Sequence, residues 1–174
     1  MKTIKRIHFP LDLNNCTSWP LIEQFTDASG KFDEIHLIIR SFGGLTTVAI
    51  ELVELIKKSE SKVIAFADSW CDSSASIVFL SCHKRIITCE TTMTIHPQSI
   101  TLEGERWDWL LDNLETFRQV EKDFIKIYRE RTHLPKKRIE RLCRCEEYDF
   151  NAEEMMKFGM ADEMIQPTFS DWGK

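Results

Sequence analysis

No apolar run in this 174-residue chain approaches the ~20 residues that a membrane-spanning helix requires. The start, MKTIKRIHFPLDL, has basic residues but no apolar stretch behind them, so no secretory signal is expected. A basic surplus is missing too. The net charge is −5 and the pI about 5.6, which argues against nucleic acid as a partner. The local cluster Lys136-Lys137-Arg138 reads as a solvated helix face. Cys143 and Cys145 form C-x-C, but no second pair and no pair of histidines stands at ligand spacing, so no metal site is expected. Internal repeats, low-complexity tracts and a phosphate-cradling glycine motif are absent as well.

What remains is the composition of an ordinary globular chain, 43% apolar and 29% charged. A cytoplasmic location is the default expectation, and the six cysteines then read as reduced thiols. One domain is expected over residues 1–166, with a loose tail over 167–174.

The first half alternates between two periods. Ile4 to Phe9 alternates as a half-exposed strand does, with His8 on its outer side. Pro10 to Asn15 reads as a turn. Thr17 or Ser18 can then cap a helix carrying Trp19, Leu21, Ile22 and Phe25, with Pro20 in its first turn and Gly30 at its end. Ile35 to Ile39 is a nearly continuous apolar strand, with His36 packed in it. A sharp turn, Arg40 to Gly44, leads to a helix over Thr46 to Lys58 with Ala49, Leu52, Val53 and Ile56 on one face. Val63 to Phe66 is the next strand, and an apolar helix over Ala75 to Leu80 follows a serine-rich turn. This β-α-β-α-β-α order implies a mainly parallel sheet with right-handed crossovers.

The second half is less regular. Arg85 to Thr88 and Met93 to Ile95 read as short strands. A long helix is expected over about Glu105 to Arg131, with apolar residues at spacings of three and four. At about 1.5 Å per residue it is longer than this chain can cover, so part of it is expected to pack on another subunit. A smaller helix (Lys136 to Leu142), an acidic turn (Glu146 to Asp149), a last helix with a capping box at Asn151 and Glu154, and a short strand at Met164-Ile165 complete the pattern. His83 is expected to be exposed, and His133 to follow the long helix as a cap.

In a parallel sheet the site lies beyond the carboxyl ends of the strands. The Gly43-Gly44 turn, the serines at 73, 74 and 76, and His96 all follow strands, so all three fall on that edge. A serine hydroxyl becomes a useful nucleophile when a neutral imidazole takes its proton. A tetrahedral oxyanion needs fixed N–H donors, which a glycine turn and a helix N-terminus can supply.

Four stretches resemble one family in order and in spacing. Ile38 to Gly44 resembles the I-N-S-P-G-G segment of the Clp protease proteolytic subunit, and Cys71 to Ser76 its A-A-S-M-G-A nucleophile turn. Thr94 to Pro97 resembles its M-I-H-Q-P segment, and Asn151 to Asp162 its closing S-A-x-E-A…Y-G-L-V-D segment. Ser73 follows Gly44 by 29 residues and precedes His96 by 23. The resemblance runs from about Ile4 to Ile165. It implies an α/β fold of the ClpP/crotonase type with a protruding handle helix at about 105–131.

By position, the resemblance makes Ser73 the nucleophile, His96 the general base and Glu147 the third member, with Asp149 and Glu146 as rivals. It makes the backbone N–H groups of Gly44 and Ser74 the oxyanion donors, and places Gly43, Gln98 and Ser99 against substrate. It implies no metal and no cofactor. The implied partners are copies of the chain in stacked rings, unfolded polypeptide substrate, and an AAA+ unfoldase ATPase. The implied activity is serine endopeptidase.

Some residues depart from the pattern. Asp72 replaces a small apolar residue and would oppose an oxyanion unless it points away. Phe42 replaces a proline and Ala75 a glycine, and Gln98 to Leu102 lacks the family's glycines. The first strand begins near Ile4, leaving little room for a pore-gating segment, which argues against ATPase coupling. A non-catalytic ring or scaffold subunit is therefore an alternative, and a crotonase-like acyl-CoA enzyme a further one.

Overall fold

The computed structural model describes residues 2–99 and 107–166. The expected alternation of strands and helices in the first half is present, with two short strands added where turns were expected, at 12–13 and 43–44. Strand β1 (Ile4–His8) is followed by a two-residue strand β2 (Asp12–Leu13) and helix α1 (Asn15–Ala28). Then come β3 (Glu34–Ser41), the short β4 (Gly43–Gly44) and α2 (Thr46–Lys58). Strand β5 (Lys62–Cys71), α3 (Ser74–Ser81), β6 (Lys84–Thr88) and β7 (Thr92–Ile95) follow. The remainder is α4 (Trp107–Arg131), α5 (Lys136–Arg144), β8 (Tyr148–Asn151), α6 (Ala152–Lys157) and β9 (Glu163–Ile165).

Strands β1, β3, β5, β6 and β9 run side by side, all parallel. β7 leaves this path after one bridge to β5, Trp70 to Thr92, and turns to pair antiparallel with β8. β2 and β4 form a separate parallel pair. β3 and β5 are central strands of the sheet, and the face that packs on α3 is apolar from Ile35 to Ile39 and from Val63 to Ala67. Their Ile35, Leu37, Ile39, Val63, Ala65 and Ala67 are nearly inaccessible to solvent. α3 is buried on every side from Ser74 to Leu80. It is the central helix, and everything at its N-terminus is held by a close-packed surround.

Several boundaries differ from the sequence reading. α1 starts earlier, because Asn14 rather than Thr17 or Ser18 is the cap. Asn14 Oδ1 accepts from the Cys16 and Thr17 N–H groups, and Thr17 Oγ1 accepts from the Asn14 N–H. That reciprocal box satisfies donors no helix can satisfy internally, and Pro20 falls inside the helix rather than in its first turn. The stretch read as a turn at 10–15 contains β2. The acidic turn at 146–149 runs into β8, which pairs with β7. In the long helix, Val120, Phe124, Ile127 and Tyr128 are buried, whereas Trp109 and Leu111 nearer its start are exposed. Residue 105, most of 98–102 and the tail 167–174 lie outside the described residues.

The C-terminal elements are tied to the sheet through Arg85. Its guanidinium donates to both Asp162 carboxylate oxygens at 3.0 and 2.6 Å, and to the carbonyls of Arg131 and Gly159 at 2.9 and 3.0 Å. Arg85→Ala is expected to cost about 3 kcal/mol, because it strands a partly buried carboxylate and two carbonyls. Urea unfolding measures that loss. Burial pushes the Asp162 carboxyl up, but Arg85 outweighs it and the net shift is down. The pair's contribution is therefore complete above the ordinary carboxylate range and is lost as pH falls below it.

Candidate active site

β5 runs out at Cys71, and Ser73 sits between it and the first residue of α3 with φ 53° and ψ −127°. Among the described residues it is the only non-glycine with a positive φ. Such a backbone costs on the order of 1–3 kcal/mol and persists only where the surroundings impose it. The surroundings are visible. The Ser73 N–H donates to the Thr94 carbonyl at 2.8 Å, and the Ser73 carbonyl accepts from Ser76 Oγ at 2.6 Å. Ser76 Oγ has one hydrogen, which that bond uses. The 2.7 Å contact with Tyr128 Oη is therefore donated by the tyrosine on α4.

Gly43 packs directly beneath this turn. A Cβ there would lie 2.7 Å from the Asp72 carbonyl and 2.8 Å from both Ser73 Cβ and the Ser74 nitrogen. A Cβ on Gly44 would lie closer still to the Leu13 carbonyl, so β4 can approach β2 here only without a side chain. The Gly43 N–H is used by Ser41 Oγ at 3.1 Å. The Ser74 N–H opens α3 and has no acceptor among the described residues.

His96 follows β7 directly. Its Nδ1 stands 2.7 Å from the Pro97 carbonyl. A carbonyl can only accept, so this contact puts the hydrogen on Nδ1 and leaves the lone pair of the neutral ring on Nε2. Ser73, His96, Gly44, Gln98 and Ser99 line one cavity of about 460 Å³, with Leu13, Leu45, Phe117, Phe124 and Tyr128 on its apolar side. A polar edge with a serine, an imidazole and backbone donors thus adjoins an apolar wall.

A family model described as Clp protease matches residues 15–168. The chain belongs to the Clp protease family. A solved structure, an asparagine-to-aspartate mutant of ClpP1 from Listeria monocytogenes, matches with a TM-score of 0.79 and 17% identity, covering 95% of this chain and 93% of that chain. The fold is accordingly the ClpP fold, with its mixed α/β layers and mainly parallel sheet.

Against that Clp protease frame, the expected residues are only partly brought together. Ser73, His96, Gly44, Gln98 and Ser99 share the cavity; Gly43 underlies it. Among the described residues no hydrogen bond joins Ser73 to His96. Glu147 is exposed and has no hydrogen-bond or ion-pair partner among the described residues, although continuing the Ile95–Tyr148 register by one step sets it opposite His96. Glu146 is paired with Arg138 and Arg141. Asp149 accepts from Thr94 Oγ1 at 2.8 Å.

Asp72 turns its carboxylate onto β7, where Oδ1 accepts the Thr94 N–H at 2.8 Å. Burial pushes its carboxyl above the ordinary range; Asp149 adds to that, and the Thr94 N–H and His96 oppose it. The sequence reading missed this contact, the Tyr128–Ser76 bond and the Pro97 carbonyl. A contact to backbone across 22 residues leaves no periodic signal to read. Among the described residues no group of three or more His, Cys, Asp or Glu side chains could hold a metal, and no helix is long and apolar enough to cross a membrane.

Proposed function

We propose that this chain is a serine endopeptidase of the Clp type, cleaving unfolded polypeptide inside a chamber formed by copies of itself. The observation that carries this is the strained backbone of Ser73, held on a close-packed turn and facing a cavity shared with His96 and Gly44. Strain of this kind has to be maintained against a cost, and an outward hydroxyl is what it delivers. Ser73 Oγ attacks the peptide carbonyl while its proton passes to His96 Nε2. The oxyanion is taken by the N–H groups of Ser74 and Gly44. The imidazolium then protonates the leaving amine, and water hydrolyses the acyl-enzyme by the reverse proton path. The apolar wall receives an adjoining substrate side chain, and Gln98 and Ser99 offer polar contacts to the peptide.

Exposed Trp109 and Leu111 on α4 support assembly through the handle, with stacked rings as the expected form. An AAA+ unfoldase remains a partner to be tested by co-purification. The test of the activity itself is fluorophosphonate labelling of the wild type with the adduct located by mass spectrometry. One adduct on Ser73 is expected; none in an assembled sample contradicts the proposal.

Glu147 is the proposed third member, across the β7–β8 edge from His96. Glu147→Gln is expected to lower kcat/KM by only about tenfold. The large losses seen when a triad acid is amidated arise from the wrong tautomer, and the Pro97 carbonyl already fixes the right one. A loss near 10⁴-fold in steady-state kinetics would mean that the glutamate displaces that carbonyl. A second reading, a non-catalytic ring subunit, is favoured by the missing Ser73–His96 hydrogen bond. An unliganded site often leaves that contact long, and persistent failure to label would select it.

A further inference from the structure

We propose that Asp72 is a positioning residue that holds the strand bearing His96 against the turn bearing Ser73. The inference deepens the protease reading above and rests on it. β7 meets β5 through one bridge only, Trp70 to Thr92, and then turns away to pair with β8. Past that bridge β5 offers no further ladder to hold the strand. Two bonds replace it, both on Thr94. The Thr94 carbonyl accepts the Ser73 N–H and the Thr94 N–H donates to Asp72 Oδ1, each at 2.8 Å.

The N–H and C=O of one strand residue face the same neighbour, so these bonds form a two-point grip on a single peptide edge. One bond would fix a distance; two fix an orientation as well. The second has a carboxylate acceptor, so it is the stronger kind if that group is charged. Asp149 grips the same residue through Thr94 Oγ1 at 2.8 Å. His96 lies two residues farther along, with its side chain on the same face of the strand as Thr94. Whatever orients Thr94 therefore orients the imidazole relative to Ser73. Asp72 touches neither the reacting atoms nor substrate in this scheme; it acts through the strand.

The test compares the wild type with Asp72→Ala and Asp72→Asn by fluorophosphonate labelling, read both as final stoichiometry and as rate. Asp72→Ala is expected to label fully but about 10- to 100-fold more slowly, the effect of a small misplacement of catalytic groups. KM for a short peptide is expected to hold while kcat falls. Asp72→Asn keeps an acceptor oxygen for the Thr94 N–H and is expected to recover to within about threefold of the wild type. An Asp72→Ala protein that labels at the wild-type rate overturns the proposal. So does one that loses stoichiometry while its remaining sites react at full speed, which marks a folding role only. An Asp72→Asn protein as slow as Asp72→Ala overturns it too, since charge rather than the grip would then matter.

Amide hydrogen exchange at Thr94 reads the grip without catalysis. It is expected to quicken about tenfold or more in Asp72→Ala and to stay slow in Asp72→Asn. Unchanged protection in Asp72→Ala removes the grip itself. A wild type that never labels, with exchange behaving as expected, rejects the protease reading and leaves Asp72 no catalytic role.

Discussion

Ser73→Ala is expected to abolish peptide cleavage, with kcat falling by about 10³-fold or more, while the assembled protein keeps its fold and its size. The expectation follows from what the hydroxyl does and does not touch. Ser73 Oγ makes no hydrogen bond among the described residues, so its loss breaks none of the bonds that hold the turn. Those bonds run through the Ser73 N–H and carbonyl, which alanine retains. The strained φ of 53° remains a cost, borne by the same surround. Knocking out a nucleophile leaves only binding and oxyanion stabilisation, hence the size of the drop. Steady-state hydrolysis of a fluorogenic peptide, with circular dichroism and size-exclusion on the same sample, checks both halves. A variant that cleaves at a tenth of the wild-type rate would place the nucleophile elsewhere.

Gly43→Ala is expected to be nearly as damaging, although Gly43 offers no group to the reaction. Its φ is +92°, which a side chain tolerates poorly, and its Cβ would sit at 2.7–2.8 Å from three atoms of the nucleophile turn. Two of those atoms are backbone, and none is the tip of a flexible side chain. Something in the turn has to move, and the Ser74 N–H proposed as an oxyanion donor is among the atoms pushed. A shift near 1 Å costs about 10²-fold in rate. Loss of a well-placed oxyanion donor costs a similar factor. The readout is kcat on an enzyme whose melting temperature has been measured alongside. A kcat within threefold of wild type would mean that the turn and the glycine strand yield independently.

These two residues also show where the sequence was readable. The order of strands and helices through α3 follows from apolar periodicity and from short connections that allow only a parallel sheet. Ser73, His96 and Gly44 fall on one edge because each directly follows a strand. The strain at Ser73 was not readable, since it comes from packing around the residue and not from its type. β8 was hidden because its stretch, Tyr148 to Asn151, is short, partly charged and paired on one side only. The cap of α1 was misplaced because Asn14, Thr17 and Ser18 are all capping residue types, and geometry alone decided among them. The contact that Asp72 makes was hidden for a similar reason. From sequence it is a charge beside the nucleophile. In the fold its carboxylate is turned onto the backbone of β7.

The most direct measurement is a crystal structure of the assembled protein carrying a peptidyl phosphonate on its active serine. The account predicts a covalent bond to Ser73 Oγ, with the phosphonyl oxygen about 2.7–3.1 Å from the Ser74 and Gly44 nitrogens and His96 Nε2 within about 3.2 Å of Ser73 Oγ. A phosphonate on another residue, or one on Ser73 whose oxygen points to solvent, would contradict it.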